Sequence, residues 1–544
     1  MTAVATPHGG AAQGHFAPRT GGNRHLAGTG ALLRLALRRD RIMLPLWVLA
    51  IGGTTAGAAG SLGSVYNTPE ERANVISSME TNSSLRSLYG PVFNDSLGAL
   101  VSWRYVAFMG AFAAVMSLLL VVRHTREEEE TGRQEMLSSA MVGRRAPLTA
   151  ALLVALIANA GIALLTTLGL ASEGLSGALA LGLAIGGVGM AFATMAAVMA
   201  QLTETARLAK GLTAAVLGLA WALKAAGDAA STDGSHVLTW LSPIGWAENI
   251  RAFAGERWWV ALLFAAVIVI QGAVAYHLAG RRDVGMSFLP ARPGPANGRL
   301  ATATSLAWRL QRGSLLGWGI GFLLAGIMFG AMTEGAADLV GDNENTREIL
   351  ERMGGQAGIT NAFLGAMIGM LAMLAALYAV QSVLRLNGEE TSQRAEPILA
   401  GAVGRTTWAA GHLYVAFGGA ALIMLLGGAG LAAGYGKDFG PILGAVLVQS
   451  VAVWLLGSFA VLVYGLFPKA AALGWAYAGL SLALGWLGAA LNLPSAVMNL
   501  SPFEHLPKLP GNAMEWTPVL VQLALAVVFT VAGLVGLRRR DMQS

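Results

Sequence analysis

The apolar residues of this 544-residue chain fall in continuous blocks about 20 residues long, and that block length limits what the chain can become more than any other feature. A helix of about 20 apolar residues crosses a hydrocarbon core about 30 Å thick. Twelve blocks can be read, near residues 42–64, 99–122, 146–171, 176–201, 211–226, 258–279, 314–333, 361–384, 406–434, 440–466, 470–490 and 517–536. They are unbroken rather than alternating, which argues against a β-barrel. Charged residues make up only 12% of the chain, against roughly a quarter in soluble domains. The expected fold is an all-α polytopic membrane protein with about twelve transmembrane helices. The fifth block is short and could be tilted differently or broken. The chain has no cysteine, so disulfides, zinc–thiolate sites and thiol nucleophiles are excluded.

Lysine and arginine set the orientation. With the N-terminus inside, most basic residues fall on the inner side. They include Arg34, Arg38, Arg39 and Arg41 before span one, Arg123, Arg126, Arg133, Arg144 and Arg145 after span two, and Arg538, Arg539 and Arg540 after span twelve. The expectation is a multi-pass protein of the plasma (inner) membrane with both termini cytoplasmic. The net charge of +6 does not point to nucleic acid as a partner; in a membrane protein the placement of charge matters more than its sum. Residues 1–27, rich in Gly, Ala, His and Thr, read as a disordered cytoplasmic tail. Span one follows basic residues, as a signal peptide would, but its apolar stretch is too long for one. It also has a counterpart in mid-chain, so it is expected to be retained.

The chain repeats itself. Arg38, Arg41 and Trp47 recur as Arg309, Arg312 and Trp318. Glu128-Glu129, Arg133, Glu135, Leu137 and Val142-Gly143-Arg144 recur without a gap as Glu389-Glu390, Arg394, Glu396, Ile398 and Val403-Gly404-Arg405. Leu241-Ser242-Pro243 recurs as Leu500-Ser501-Pro502, and Arg282-Asp283 as Arg540-Asp541. Four landmarks in one order imply two parallel six-span repeats, 28–282 and 305–544, related by a pseudo-two-fold axis along the membrane normal. Between them, 283–304 is rich in Pro, Gly and Ala and suits a cytoplasmic linker. Each repeat opens with a basic amphipathic segment, around Leu32–Arg39 and Leu306–Arg312, that can lie in the headgroup plane as an elbow helix or simply flank the next span.

The loop after span two is the most informative stretch. It runs Glu127-Glu128-Glu129-Glu130-Thr131-Gly132-Arg133, with Glu135, Leu137, Gly143 and Arg144 beyond. A dense acidic run beside an anionic leaflet is not explained by lipid attraction. Glu129, Arg133 and Leu137 share one helical face at i, i+4 spacing, so a rigid charged helix could seat on a cytoplasmic partner. A solvated loop explains one copy equally well; reappearance at Glu389, Glu390, Arg394, Glu396, Ile398, Gly404 and Arg405 favours a docking element.

This loop resembles the signature after the second span of the membrane subunits of type-two ABC exporters, Glu-x-x-Gly-x-x-Glu-x-Leu followed by Val and Arg. It reads Glu129, Gly132, Glu135, Leu137, Val142 and Arg144, and again Glu390, Glu396, Ile398, Val403 and Arg405. The Leu-Ser-Pro elements at Pro243 and Pro502 are similar too, and the duplicated twelve-span form resembles the actinobacterial polyketide-antibiotic (tetronasin-type) exporter permeases. The second copy departs in having Gln393 in the place of Gly132 and Pro397 where a regular helix is expected, which implies a shortened helix there. The resemblance implies that the two loops are coupling helices seated in two copies of a separate ABC ATPase. ATP and Mg would be bound by that partner and no cofactor by this chain, which would be a transporter subunit rather than an enzyme. It further implies export of hydrophobic or amphipathic compounds, as in antibiotic or multidrug efflux. A fused ATPase is excluded by sequence. The nearest approach to a Walker A loop, at Gly436-Lys437, has Leu431 for the first Gly and Asp438 after the Lys.

A rival reading is a twelve-span secondary transporter driven by ions. Such a protein needs ionisable groups, usually Asp or Glu, inside the membrane, and none of the 30 acidic residues falls inside a span as delimited above. An intramembrane enzyme lacks support, since no His-Glu-x-x-His or cysteine is present, no buried acid pair is expected, and the histidines are scattered. Candidate residues of a substrate path are Arg104, Asn159, Lys224, Gln271, His412 and Gln449. Arg104 and Lys224 are expected near outer span ends, where snorkelling accounts for them. Helix–helix hydrogen bonds account for the other four as well as a cavity does. The outer segments 65–98 and 334–360 are expected on short helices. Those at 227–257 and 491–516 combine Trp and Pro, as exit gates or interfacial anchors do.

Overall fold

A computed structural model describes residues 24–66, 68–133, 142–283, 285–288, 298, 300–340, 358–487 and 494–542. The chain divides into two compact units, 1–292 and 293–544. Among the described residues all regular structure is helical, and eleven helices are long and apolar enough to cross a membrane. The eleventh predicted span is seen as a helix over Ala472–Leu487; residues 488–490 lie outside the described residues.

The first unit opens with α1 (Thr29–Arg39), which is followed by α2 (Met43–Val48), a π-helical turn at Leu49–Gly53 and α3 (Thr54–Val65). The break between α1 and α2 has a chemical cause. Asp40 caps α1 through its backbone N–H to Ala36 O, and its fully buried carboxylate forms an ion pair with Arg123 (2.9 Å) and a hydrogen bond with His124 (2.5 Å). The tail expected to be disordered is ordered at its last residues. Gly143 N donates to Ala27 O (2.9 Å) and Arg145 N to His25 O (3.0 Å), tying 25–27 to the far side of the acidic loop. Residues 1–23 lie outside the described part.

Next come α4 (Pro69–Thr81), α5 (Ser83–Tyr89), α6 (Leu97–Arg123), the short α7 (Arg126–Glu130), α8 (Ala146–Gly169) and α9 (Leu175–Leu202). At 28 residues and about 1.5 Å per residue α9 is about 42 Å long. It is the centre of the unit, packed on α6 and α8 and on the later α13 (Trp259–Arg281). Small residues allow this. A Cβ on Gly182 would lie 2.5 Å from Ala163 O, so α8 and α9 touch backbone to backbone.

The fifth span is neither short nor broken. It is α10 (Ala206–Ala230), 25 residues long, capped by Thr205, whose side chain accepts from Leu208 N. Its extra length carries Asp228 inside the helix and fully buried. The expectation that no acidic side chain enters a span is therefore corrected: the apolar run stopped at 226, whereas the helix does not. Two short helices, α11 (Val237–Trp240) and α12 (Pro243–Asn249), fold back into the unit, and Ile244, Ala247, Glu248 and Asn249 of α12 are buried.

In the second unit, α14 (Ala303–Val340) is one continuous helix, so no separate elbow exists there. Gln311 stands where the first unit has Asp40. It is buried and hydrogen-bonds His412 (3.1 Å) along the helix flank instead of capping an end. The unit continues with α15 (Ile359–Thr391), α16 (Glu396–Leu399), α17 (Arg405–Tyr435), α18 (Phe439–Leu466), α19 (Ala472–Leu487), α20 (Ser495–Met498) and α21 (Trp516–Arg539). As expected from Pro397, α16 is short, four residues with the Pro in its first turn. Helices α14 and α17 meet along a glycine seam. A Cβ on Gly326, Gly330 or Gly434 would collide with the backbone oxygen of Gly427, Leu431 or Ile327 respectively. The outer segment 341–357 lies outside the described residues.

Candidate functional site

The helix ends that lead into the two acidic loops share one backbone turn. Helix α7 ends with Thr131 N on Glu127 O (3.1 Å) and Gly132 N on Glu129 O (3.0 Å); α15 ends with Ser392 N on Gly388 O (3.2 Å) and Gln393 N on Glu390 O (2.9 Å). Gly132 has φ 69° and Gln393 φ 59°. The turn needs a left-handed residue at this point, and Gln393 supplies it without glycine's freedom. The sequence departure therefore leaves the conformation unchanged.

The carboxylates divide into inward and outward sets. Glu129 faces in, its side chain only 6% exposed. It accepts a two-pronged contact from Arg282, Nη1 to Oε2 at 2.7 Å and Nη2 to Oε1 at 2.5 Å, and a further bond from the buried Arg126. Arg282 also donates from Nε to Gln201 Oε1 (3.0 Å) at the end of α9, and Arg144 donates to Arg282 O (2.5 Å). The second unit repeats the clasp. Arg540 holds Glu390 with two 2.7 Å bonds, and Arg405 donates to Arg540 O. Where the first unit has Gln201, the second has Tyr464, whose hydroxyl donates to Glu390 (2.5 Å) and whose ring lies 5.0 Å from the Arg540 guanidinium carbon. Hydrogen bonding to Glu390 raises the pKa of Arg540 above its ordinary value. Planar two-pronged Arg–carboxylate contacts of this kind are the strong and directional ones.

The remaining loop charges lie nearer the surface. Glu128 is shared by Arg39 of α1 and Arg133, Glu127 pairs with Lys210 on α10, and Glu130 accepts from Ala206 N (2.9 Å) at the start of α10. In the second unit Glu389 pairs with Arg385 (3.1 Å) and Arg394 (4.0 Å), while Arg394 and Glu396 are exposed and Ile398 is half-buried. Thr131 and Arg133 are exposed; Gly143 is buried, Gly404 exposed and Arg144 exposed. Glu135 and Leu137 lie outside the described residues. Arg126, Gln201, Arg282, Tyr464 and Arg540 complete the clasps and were not singled out from sequence as site residues. The recurrence of Arg282-Asp283 as Arg540-Asp541 was the signal for two of them.

The substrate-path candidates each make contacts within their own unit. Asn159 donates to Ser117 Oγ and Ala155 O (both 2.8 Å), Gln271 accepts from Thr194 (2.7 Å), His412 meets Gln311, and Gln449 donates to Pro507 O (3.3 Å). Each makes at least one such contact, while Asn159 Oδ1 and Gln449 Oε1 are buried without a hydrogen-bond partner. Arg104 lies over the Tyr89 ring, 4.2 Å from its centroid. Lys224 does not snorkel. It is fully buried, 3.2 Å from Asp228 and 3.0 Å from Glu248, and its Nζ also donates to Leu88 O (3.0 Å) and Ser87 O (3.3 Å). Its neighbours, invisible to an end-of-span argument, hold it in. Among the described residues no three His, Asp or Glu side chains cluster as metal ligands.

Long apolar helices, packed through glycine seams and pinned at one end by buried Arg–Glu clasps, define an all-α polytopic membrane protein. Residues 300–538 match the family model described as multidrug efflux system permease Rv1217c, C-terminal domain. The chain is 41% identical over 542 residues to the multidrug efflux system permease protein Rv1217c of Mycobacterium tuberculosis, covering 97% of this chain and 98% of that one. It belongs to this family of multidrug efflux permeases.

Proposed function

We propose that the chain is the membrane subunit of an ATP-driven ABC exporter of the duplicated, tetronasin-type form. It moves hydrophobic or amphipathic compounds out of the cell and is driven by two copies of a separate ATPase that bind ATP and Mg. The ATPases dock from the cytoplasm, where both termini lie, on the loops at α7 and α16. The observation that carries this reading is the duplicated clasp. In each unit the carboxylate at the loop's helix end is bonded to the arginine just after the last spanning helix, Glu129 to Arg282 and Glu390 to Arg540. A push on either loop therefore reaches that last helix through a stiff two-bond contact, while the exposed Thr131, Arg133, Arg394 and Glu396 face the docked partner.

The test is drug-stimulated ATP hydrolysis by the permease purified together with the ATPase and reconstituted in lipid. Reversing charge at Glu128, Glu129 and Glu135 should abolish stimulation while membrane insertion persists, and the same change at Glu389, Glu390 and Glu396 should reduce it. Unchanged stimulation in both variants, or drug transport by this chain alone on an ion gradient, would overturn the proposal.

A further inference from the structure

At the end of α10 opposite the acidic loop, the first unit buries three ionisable side chains together. Lys224 is 18 positions along from Ala206 and so about 27 Å from the loop end at 1.5 Å per residue. Lys224, Asp228 and Glu248 are 0%, 0% and 4% exposed at their side chains. Lys224 contacts both carboxyls and two backbone carbonyls, so the acceptors around its Nζ hold it as the ammonium. Thr239 donates to Asp228 Oδ1 (2.9 Å). Glu248 Oε2 has no hydrogen-bond partner, and Gly90 packs so closely on the carboxyl that a Cβ there would sit 2.7 Å from Oε1.

One ammonium facing two carboxylates leaves a net negative charge in a dry site, which is costly. Two guanidiniums lie nearby and bond backbone carbonyls. Arg86 of α5 donates to Asp228 O (2.8 Å) and Ala229 O (2.9 Å), while Arg251 donates to Asp233 O (3.0 Å) and lies over Phe93. A cavity of about 10 Å³ adjoins Glu248, bordered by Ser102, Trp103, Tyr89 and Arg251. That is about the room of one water.

We propose that Lys224, Asp228 and Glu248 form a one-proton site, with the proton carried on Glu248 at neutral pH and the site bridging α5, α10 and α12. Burial and the adjacent Asp228 both push the Glu248 carboxyl well above the usual carboxylate range, against the opposing pull of Lys224. Lys224 and Arg86 hold α5 onto the end of α10 through backbone carbonyls, so loss of the proton strains the hold on that helix. In the register set by Leu241-Ser242-Pro243 and Leu500-Ser501-Pro502, the second unit has Ala483, Leu487 and Pro507 at the three positions.

The sign follows from linkage. A carboxyl whose folded pKa is raised keeps a proton that the unfolded chain releases. Its stabilising contribution is complete below the ordinary carboxyl range and is lost as pH rises toward the folded pKa, by tenfold in the folding equilibrium per pH unit. The experiment uses the full chain in lipid nanodiscs and reads the infrared C=O stretch of protonated carboxyls at pH 7, with the unfolding midpoint from pH 5 to 9. The wild type should show a protonated-carboxyl band that Glu248→Gln removes, and Glu248→Gln should flatten the fall in midpoint with pH. Asp228→Asn should also remove the band, because Lys224 then balances an ionised Glu248. A band of wild-type size in both variants, no such band in the wild type, or identical pH slopes in wild type and Glu248→Gln would overturn the proposal.

Discussion

The most informative perturbation of the clasp is Glu129→Gln, which keeps shape and removes charge. Glu129 serves two guanidiniums, and the side chains of Arg126, Arg282 and Glu129 are only 1%, 8% and 6% exposed. The contact therefore falls in the buried regime, where losing one partner costs about 3–5 kcal/mol, and not the surface regime of about 0–1 kcal/mol. The two deletions are not equivalent. Glu129→Gln strands two arginines facing each other, so it should cost about 3–5 kcal/mol. Arg282→Met leaves Glu129 still paired with Arg126, so its cost is limited to charge-assisted bonds worth about 1.5–3 kcal/mol. The double variant should cost less than the sum, with a coupling energy of at least about 1 kcal/mol. Reversible unfolding of the full chain in mixed micelles, followed by tryptophan fluorescence, measures all three. If Glu129→Gln costs under about 1 kcal/mol, or less than Arg282→Met, the clasp behaves as an exposed ion pair and the force-relay argument fails.

Three further outcomes follow from the same geometry. Lys224→Met should destabilise by about 3–5 kcal/mol because it leaves two carboxyls without their cation. The triple variant Lys224→Met/Asp228→Asn/Glu248→Gln should recover most of that loss in the same unfolding assay. Gln393→Gly should stabilise by up to about 1 kcal/mol by relieving a left-handed residue, and Gly132→Gln should cost a similar amount, both read as midpoint shifts. Gly430→Val, whose Cβ would meet Leu323 O and Ile327 N, should cost about 1–3 kcal/mol or more. Gly418→Ala on the same helix, with no atom within 4 Å of the new Cβ, should be neutral or stabilising.

The helices, the membrane class and the duplication were legible because apolar block length and an ordered set of repeated landmarks depend only on local sequence. What was missed depends on partners distant in the chain. Asp228 was placed outside span five because the apolar run ends at 226, yet Lys224, four residues back, pairs with it inside, and the same ammonium meets Glu248, 24 residues further on. An elbow or a simple flank was open for both basic segments; Asp40 breaks the first helix by recruiting Arg123 and His124, and Gln311 at the matching position has no such pull. Within the acidic loop the run of glutamates was visible, but which of them turns inward was not. Glu129 is selected by Arg126 and by Arg282, more than 150 residues away.

The glycine seam between α14 and α17 has a mechanical consequence. With main chain against main chain at Gly326, Gly330, Gly430 and Gly434, neither helix can slide or roll without driving carbonyl oxygens into the other. The two behave as one plank, so whatever rearrangement accompanies a transport cycle in this unit must be taken up at joints padded by bulkier, more yielding side chains.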